Sequence, residues 1–257
     1  WDIIDVFAMD TITGCDEGLF VEFDFDKDFP PAPDGTPASQ DFFAPMPSKC
    51  AVGNILYSWN YAFDTRAFSG KEPSTIKDFF DTKKFPGKRA IYKSALTNLE
   101  IALAADGVKM GKGGERLYRF MEEKDGYIDR AMNKVKALCE DPNGGCVFWS
   151  AGAQPPELLV AGEVVMATGW NGRFFNAEVG ENAPIKQVWD GQGLDYEYFA
   201  LVKGGPDEAN AKKALAMMTN TEMLAGSAKY IAYAPWRKSS LEIIKAGEPW
   251  YKDGKTE

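Results

Sequence analysis

The 257-residue sequence contains no histidine. This absence excludes Ser-His-Asp and Cys-His catalytic systems and every metal site that needs an imidazole ligand. The motifs G-x-S-x-G, G-x-x-x-x-G-K-[ST] and G-x-G-x-x-G are also absent, so the common hydrolases, nucleotide-binding proteins and dinucleotide-binding proteins have no support. We therefore expect neither a metal ion nor a cofactor.

Long apolar runs and a basic charge balance are missing as well. No stretch of about 18 apolar residues occurs, so no membrane span is predicted. The 29 basic and 38 acidic side chains give a net charge of -9, which repels a phosphate backbone and attracts small cations. Nucleic acid is therefore not an expected partner. The chain opens at Trp1 without a Met or a signal peptide, as is typical of a processed or partial chain.

Four cysteines are present, and none belongs to a C-x-x-C pair. Cys139 and Cys146 flank a turn-rich segment, and Cys15 and Cys50 flank a polar stretch, so a disulfide could close each loop. Two disulfides would indicate an oxidising compartment. The alternative is four buried free thiols in a cytosolic protein.

Apolar periodicity predicts alternating strands and helices. Strands are expected over residues 2–6, 51–61, 88–92, 163–168 and 196–202, and helices over 76–80, 97–105, 125–138, from 155 onward and over 207–218. Such alternation indicates an α/β protein with a largely parallel sheet covered by helices on both faces. In the helix over 125–138, four apolar residues spaced for one face are predicted to face the core: Ile128, Met132, Val135 and Leu138.

One candidate site follows the strand over 163–168. Trp170 and Arg173 lie just after it, where an open α/β sheet usually binds its ligand. The alternative is a ring that covers the core beside a solvated cation.

A second candidate is the pair Asp195 and Glu197. Residues two apart on a strand project from the same face, and two carboxylates with nearby aromatic rings can hold an ammonium group. An ordinary solvated edge strand gives the same pattern. A carboxylate pair in an aromatic cleft could also hydrolyse glycosides, which is the enzymatic alternative.

Several segments, taken in order, resemble the polyamine-binding (spermidine/putrescine) proteins of ABC importers. The matching pieces are residues 1–6, 14–20, 55–64, 79–80, 84–89, 99–103, 162–165, 169–172 and 230–233. The resemblance implies the type II periplasmic binding protein fold, with two lobes that are each a mostly parallel sheet flanked by helices. The first lobe would comprise residues 1–57 and 199–257, and the second residues 58–198.

The same resemblance implies a function. The chain would be a monomeric periplasmic receptor, not an enzyme, that binds a small amine-bearing solute between its lobes and delivers it to the importer's membrane subunits. Trp170, Asp195, Glu197 and Tyr233 match the family's ligand positions, with Glu197 as the amine anchor. Three further residues fall on the first-lobe loop that faces the cleft in the family: Phe7, Met9 and Asp10.

The sequence departs from the family in three ways. Ser94 and Thr97 stand where carboxylates are expected, and Arg173 stands where some polyamine binders have an acid. A guanidinium suits a carboxylate, so an ω-amino acid such as 4-aminobutyrate is the alternative ligand. The family also has a strand and a helix ahead of the segment matching Trp1 and more helix beyond Glu257, so part of the first lobe is expected to be missing.

Overall fold

The structure is a computed structural model that describes residues 1–95, 97–108, 126–244 and 249–255. Its seven strands in these ranges are β1 (Ile3–Phe7), β2 (Ala51–Asp64), β3 (Arg89–Tyr92), β4 (Cys146–Trp149), β5 (Met166–Trp170), β6 (Ile185–Leu201) and β7 (Ala234–Pro235). Among the described helices, none combines the length and the apolar character needed to span a membrane.

Helices alternate with these strands. In chain order the described α-helices are α1 (Ala8–Asp16), α2 (Phe25–Asp28), α3 (Ala38–Asp41), α4 (Ile76–Phe80), α5 (Asn98–Ala105), α6 (Tyr127–Glu140), α7 (Gln154–Val160), α8 (Asn171–Phe175), α9 (Glu208–Met218), α10 (Thr221–Ser227) and α11 (Lys238–Ile243). Side chains cap several of them. The Asn220 side chain, for example, accepts a 2.8 Å hydrogen bond from the Met223 N–H at the start of α10, a favourable helix start.

The chain divides into two compact units. Unit 1 comprises Trp1–Tyr57 and Asp195–Glu257, and unit 2 comprises Ser58–Leu194. The chain passes from unit 1 to unit 2 within β2 and returns within β6.

Unit 1 is built on antiparallel pairing. β1 pairs antiparallel with β6, with Ile3 opposite Leu201 and Phe7 opposite Glu197, and β2 pairs antiparallel with β7. Its core consists mainly of buried aromatic and aliphatic side chains: Phe23, Phe29, Phe42, Leu56, Tyr198, Leu201, Leu215 and Trp236. The Cys15–Cys50 disulfide joins α1 to the segment just before β2.

Unit 2 contains the strand order β2-β5-β3-β4. β3 runs parallel to β4 and β5, whereas β2 is antiparallel to β5. Its main core is formed by apolar side chains from both strands and helices: Tyr61, Phe63, Phe79, Phe85, Ile91, Ile101, Leu138, Met166 and Val188. The Cys139–Cys146 disulfide joins the end of α6 to the start of β4. Both disulfides expected from the cysteine spacing are therefore present.

The structure confirms the α/β class but limits the predicted parallel pairing. Parallel pairing occurs among β3, β4 and β5, while the described pairings of the crossing strands β2 and β6 are antiparallel. Alternation along the chain predicts parallel neighbours only for strands that are joined by a helical crossover. That rule does not apply to β2 and β6, in which the chain passes from one unit to the other.

The core face predicted for α6 is partly wrong. Ile128 and Met132 are 41% and 52% exposed, whereas Ala131 and Leu138 are buried and Val135 is partly buried. Alanine is small enough to lie against α5, so the buried stripe is rotated toward Ala131. The predicted start of this helix, Asp125, lies outside the described residues.

Candidate functional site

In unit 1, Asp195 is held by a tyrosine. The Tyr57 hydroxyl donates a 3.1 Å hydrogen bond to Asp195 Oδ2, and the Tyr196 N–H donates a 2.8 Å bond to Asp195 Oδ1. The ring of Tyr57 lies 5.9 Å from that of Tyr233, centroid to centroid. The structure thus brings two predicted site residues, Asp195 and Tyr233, together around Tyr57.

Glu197 follows Asp195 by two positions on β6. Both residues lie in this strand. Because successive side chains of a strand point to opposite sides, residues two apart project from the same face. Both residues are only partly exposed. Phe7 is the register partner of Glu197 on β1, which places that ring beside the acid.

Asp10 and Met9 belong to the first turn of α1. Asp10 Oδ2 accepts a 3.3 Å hydrogen bond from the Phe7 N–H, so this carboxylate already stabilises the start of the helix. Met9 is 54% exposed. The local structure alone accounts for Asp10.

In unit 2, four aromatic rings meet at one place. Trp59 lies 5.5 Å from Trp170 and 6.0 Å from Trp149, and Tyr92 lies 4.6 Å from Trp149. Trp59 and Trp149 are buried, whereas Tyr92 and Trp170 are partly exposed. The two buried rings therefore form the base of the cluster, and the other two present its accessible surface.

The position of the cluster follows from strand direction. Tyr92, Trp149 and Trp170 are the last residues of β3, β4 and β5, and these three strands run parallel. Their carboxyl ends therefore lie at one edge of the sheet, where open α/β sheets bind ligands.

Arg173 lies in α8, whose N-cap residue is Trp170. Its side chain is exposed, and none of the ion pairs in the described ranges includes it. An exposed guanidinium close in sequence to the ring cluster can form a bidentate hydrogen-bonded pair with a carboxylate.

The loop after β3 is fixed by Asn98. Its Nδ2 donates 2.7 Å hydrogen bonds to the carbonyl oxygens of both Tyr92 and Ser94, and the residue is buried. Thr97, which precedes it, has a positive φ of 71° and is also buried. Of the two positions at which the resemblance predicts carboxylates, only Ser94 is exposed.

No group of three or more Asp, Glu or Cys side chains in the described ranges could hold a metal ion. Unit 1 instead provides carboxylates and phenol rings, and unit 2 provides a ring cluster and a guanidinium. Such groups bind a solute through charge and apolar contact.

The sequence patterns did not single out Tyr57, Trp59, Tyr92 or Trp149 as candidate site residues. A signal for two of them exists, because Tyr92 and Trp149 each end a short apolar segment. Aromatic residues at the carboxyl ends of strands in an α/β sequence are candidates for a ligand site.

Comparison with known proteins gives one family. The family described as bacterial extracellular solute-binding protein matches residues 1–256. A gamma-aminobutyric acid-binding protein of Pseudomonas aeruginosa is 37% identical over 244 residues, which is 95% of this chain. The match covers 64% of that relative, so this chain spans less than two thirds of its length.

The solved structures that are similar to this chain include the following two. The PBP MotA from A. tumefaciens B6 in complex with glucopine has a TM-score of 0.79 at 27% identity, over 95% of this chain and 70% of that one. The Atu4243–GABA receptor has a TM-score of 0.76 at 28% identity, over 95% and 68% respectively. These matches confirm the α/β fold class of the periplasmic binding proteins.

The family consists of solute-binding proteins and not of enzymes. This finding confirms the prediction that the chain is not an enzyme and removes the glycoside hydrolase alternative. The resemblance to ABC importer receptors is confirmed at the level of the family, while polyamine specificity remains a prediction. With residues 1–256 matched, the chain belongs to the bacterial extracellular solute-binding protein family.

Proposed function

We propose that this chain is the solute-binding subunit of an ABC importer and that its solute is an ω-amino acid of the gamma-aminobutyric acid type. The observation that carries the proposal is the relative that binds this compound, which is 37% identical over 95% of the chain. The side chains of the candidate site agree with it, because they include anchors for both charges of such a solute.

The ammonium end requires negative charge. Asp195 and Glu197 supply two carboxylates on one face of β6, and Tyr57 fixes the first of them by its 3.1 Å hydrogen bond. An oriented carboxylate binds an ammonium more strongly than a mobile one, because less side-chain freedom is lost on binding. Glu197 is the proposed main anchor.

The carboxylate end requires a cation. Arg173 is exposed and follows Trp170 by three residues, and its planar guanidinium matches a carboxylate by two parallel hydrogen bonds. The methylene groups between the two charged ends would pack on Trp170 and Tyr92. Apolar packing combined with a few polar anchors is typical of small-molecule sites.

In this proposal units 1 and 2 correspond to the two lobes that the family resemblance implies, and each unit supplies candidate anchors for the solute. The receptor would deliver its solute to the importer's membrane subunits. The proposed location is the periplasm, where disulfides such as Cys15–Cys50 and Cys139–Cys146 persist, and the proposed state is a monomer.

A polyamine such as putrescine or spermidine is the second candidate, favoured by the two neighbouring carboxylates Asp195 and Glu197. Such a solute has no carboxylate, so it would gain nothing from Arg173 and would be repelled by its charge. The charge at position 173 therefore separates the two candidates.

Isothermal titration calorimetry of Arg173→Ala and Glu197→Gln with gamma-aminobutyric acid and putrescine tests the proposal. We expect each variant to lose about a hundredfold in affinity for gamma-aminobutyric acid, because a charge partner is removed. Arg173→Lys should recover only part of the loss, since an ammonium cannot form the bidentate pair. Glu222→Gln, an exposed acid on α10, is the control.

Two outcomes count against the proposal. If Arg173→Ala leaves the affinity for gamma-aminobutyric acid unchanged, the carboxylate anchor is wrong. If the wild type binds putrescine and Arg173→Ala strengthens that binding, the solute is a diamine.

A further inference from the structure

Gly152 lies directly against the indole of Trp170. A Cβ atom added at this position would be 2.0 Å from Trp170 Cζ3 and 2.4 Å from Cε3, far inside van der Waals contact. The φ angle of Gly152 is not among the positive ones, so its backbone does not require glycine. Glycine is needed here because the neighbouring indole leaves no room for a side chain.

The same indole also packs against two other rings. Trp170 lies 5.5 Å from Trp59 and 5.6 Å from Trp149, centroid to centroid, and both of these rings are buried. These contacts leave the indole little freedom to move aside for a methyl group at position 152, because packed interiors accept extra volume poorly. The indole would have to leave its position in the cluster.

We propose that Gly152 is a positioning residue for solute binding, because the missing side chain allows Trp170 to lie where its ring packs on the carbon chain of the solute. This inference rests on the proposed function, in which Trp170 forms part of the accessible ring surface. Gly152 contacts the indole and determines its position, whereas Trp170 itself contacts the solute.

The test compares Gly152→Ala with Gly193→Ala. Gly193 also belongs to unit 2, has no atom within 4 Å of an added Cβ, and is not among the glycines with positive φ. We expect Gly152→Ala to weaken gamma-aminobutyric acid binding roughly tenfold or more by displacing the indole. Gly193→Ala should bind as the wild type does. Equal affinities of Gly152→Ala and the wild type would overturn the proposal.

A double-mutant cycle separates positioning from a general loss of stability. In a Trp170→Phe background the atoms that collide with the new methyl group are absent, so Gly152→Ala should cause little further loss of affinity. A merely structural role of Gly152 would give the same loss in both backgrounds. That result would also overturn the proposal.

A direct readout of the ring makes the test independent of the solute. The chain has seven tryptophans, and labelling with 5-fluorotryptophan gives each a ¹⁹F resonance, of which that of Trp170 is assigned by its loss in Trp170→Phe. Gly152→Ala should shift this resonance and Gly193→Ala should not. An unchanged resonance overturns the inference about Gly152 whatever the wild type binds. If the wild type binds no amine-bearing solute, the proposed function fails and Gly152 loses its role in binding, even where the resonance does shift.

Discussion

The Tyr57 hydroxyl donates a 3.1 Å hydrogen bond to the Asp195 carboxylate. Tyr57 is the last residue of unit 1 before the chain enters unit 2, and Asp195 is the first residue of unit 1 after the chain returns. Within unit 2, the N–H of Ser58, the residue after Tyr57, donates a 2.8 Å hydrogen bond to Asn171 Oδ1. Both sides of this crossing are therefore fixed by side chains, and on one side the fixed group is a candidate solute anchor.

Replacing Tyr57 by Phe should weaken binding of the amine-bearing solute. The substitution keeps the ring beside Tyr233 but removes the donor that orients Asp195, and a hydrogen bond to a charged group is worth about 1.5–3 kcal/mol. We expect a loss of about tenfold in affinity for gamma-aminobutyric acid by calorimetry. Tyr230→Phe, at a residue of unit 1 that is 66% exposed, is the control. An equal affinity of Tyr57→Phe and Tyr230→Phe would show that Asp195 needs no orientation or takes no part in binding.

Replacing Asn98 by Ala should destabilise unit 2. The side chain makes two 2.7 Å hydrogen bonds to the carbonyl oxygens of Tyr92 and Ser94, and its removal leaves those acceptors without this donor. We expect a decrease of about 2–3 kcal/mol in the free energy of unfolding, measured by urea denaturation. Asn98→Asp should be at least as harmful, because a carboxylate cannot donate these bonds. Asn133→Ala, at an exposed position of α6, should change little, and a similar small effect of Asn98→Ala would contradict the assigned role.

The stability of unit 2 should fall in acid because of Asp78. Burial alone would raise the pKa of this carboxyl, but the Lys84 ammonium and the N–H groups of Ser74 and Thr75 outweigh it and lower the pKa to about 2. A lowered pKa in the folded state stabilises the protein above the unfolded value near 3.8. That stabilisation is lost as the pH falls from about 4 toward 2.

Asp78→Asn should remove this part of the pH dependence. The amide keeps the shape of the side chain but loses the 2.6 Å ion pair with Lys84 and part of the capping of α4. We expect a loss of about 1–2 kcal/mol at neutral pH, and a smaller difference from the wild type at pH 2 than at pH 7. Denaturation curves at several pH values provide the measurement. If the difference in unfolding free energy between Asp78→Asn and the wild type is the same at every pH, the Asp78 carboxylate does not stabilise the folded state through its charge.

The two disulfides should contribute unequally to stability. Cys15 and Cys50 are 35 residues apart and Cys139 and Cys146 only 7, and a larger loop restricts the unfolded chain more. From loop-closure entropy, replacing the first pair by Ser should cost about 4 kcal/mol and replacing the second about 2 kcal/mol. Thermal unfolding of the two double variants measures the order. A greater loss from the Cys139–Cys146 pair would show that strain or contacts in the folded state outweigh chain entropy.

Much of the fold could be predicted from local pattern. The long apolar strand β2 and the short helix α4 lie where periodicity places them, because a buried strand and a capped amphipathic turn have local signals. β6 was predicted only over its last third, since its first part contains Lys186, Asp190 and two glycines and lacks regular alternation.

The candidate site was less accessible to sequence reasoning. Asp195 and Glu197 could be paired because their spacing on one strand is a local property. The ring cluster joins Trp59, Tyr92, Trp149 and Trp170, which are far apart in the sequence and meet only through strand pairing. The contact of Gly152 with Trp170 likewise depends on tertiary packing, and no pattern in the sequence predicts it.

The proposed solute has an ammonium at one end and a carboxylate at the other. The most direct test is calorimetric titration of the wild-type protein with four related compounds: gamma-aminobutyric acid, butylamine, butyrate and putrescine. Because each anchor acts on one charge, we expect gamma-aminobutyric acid to bind at least a hundredfold more tightly than the other three. Putrescine binding as tight as that of gamma-aminobutyric acid, or no heat with gamma-aminobutyric acid, would contradict the account.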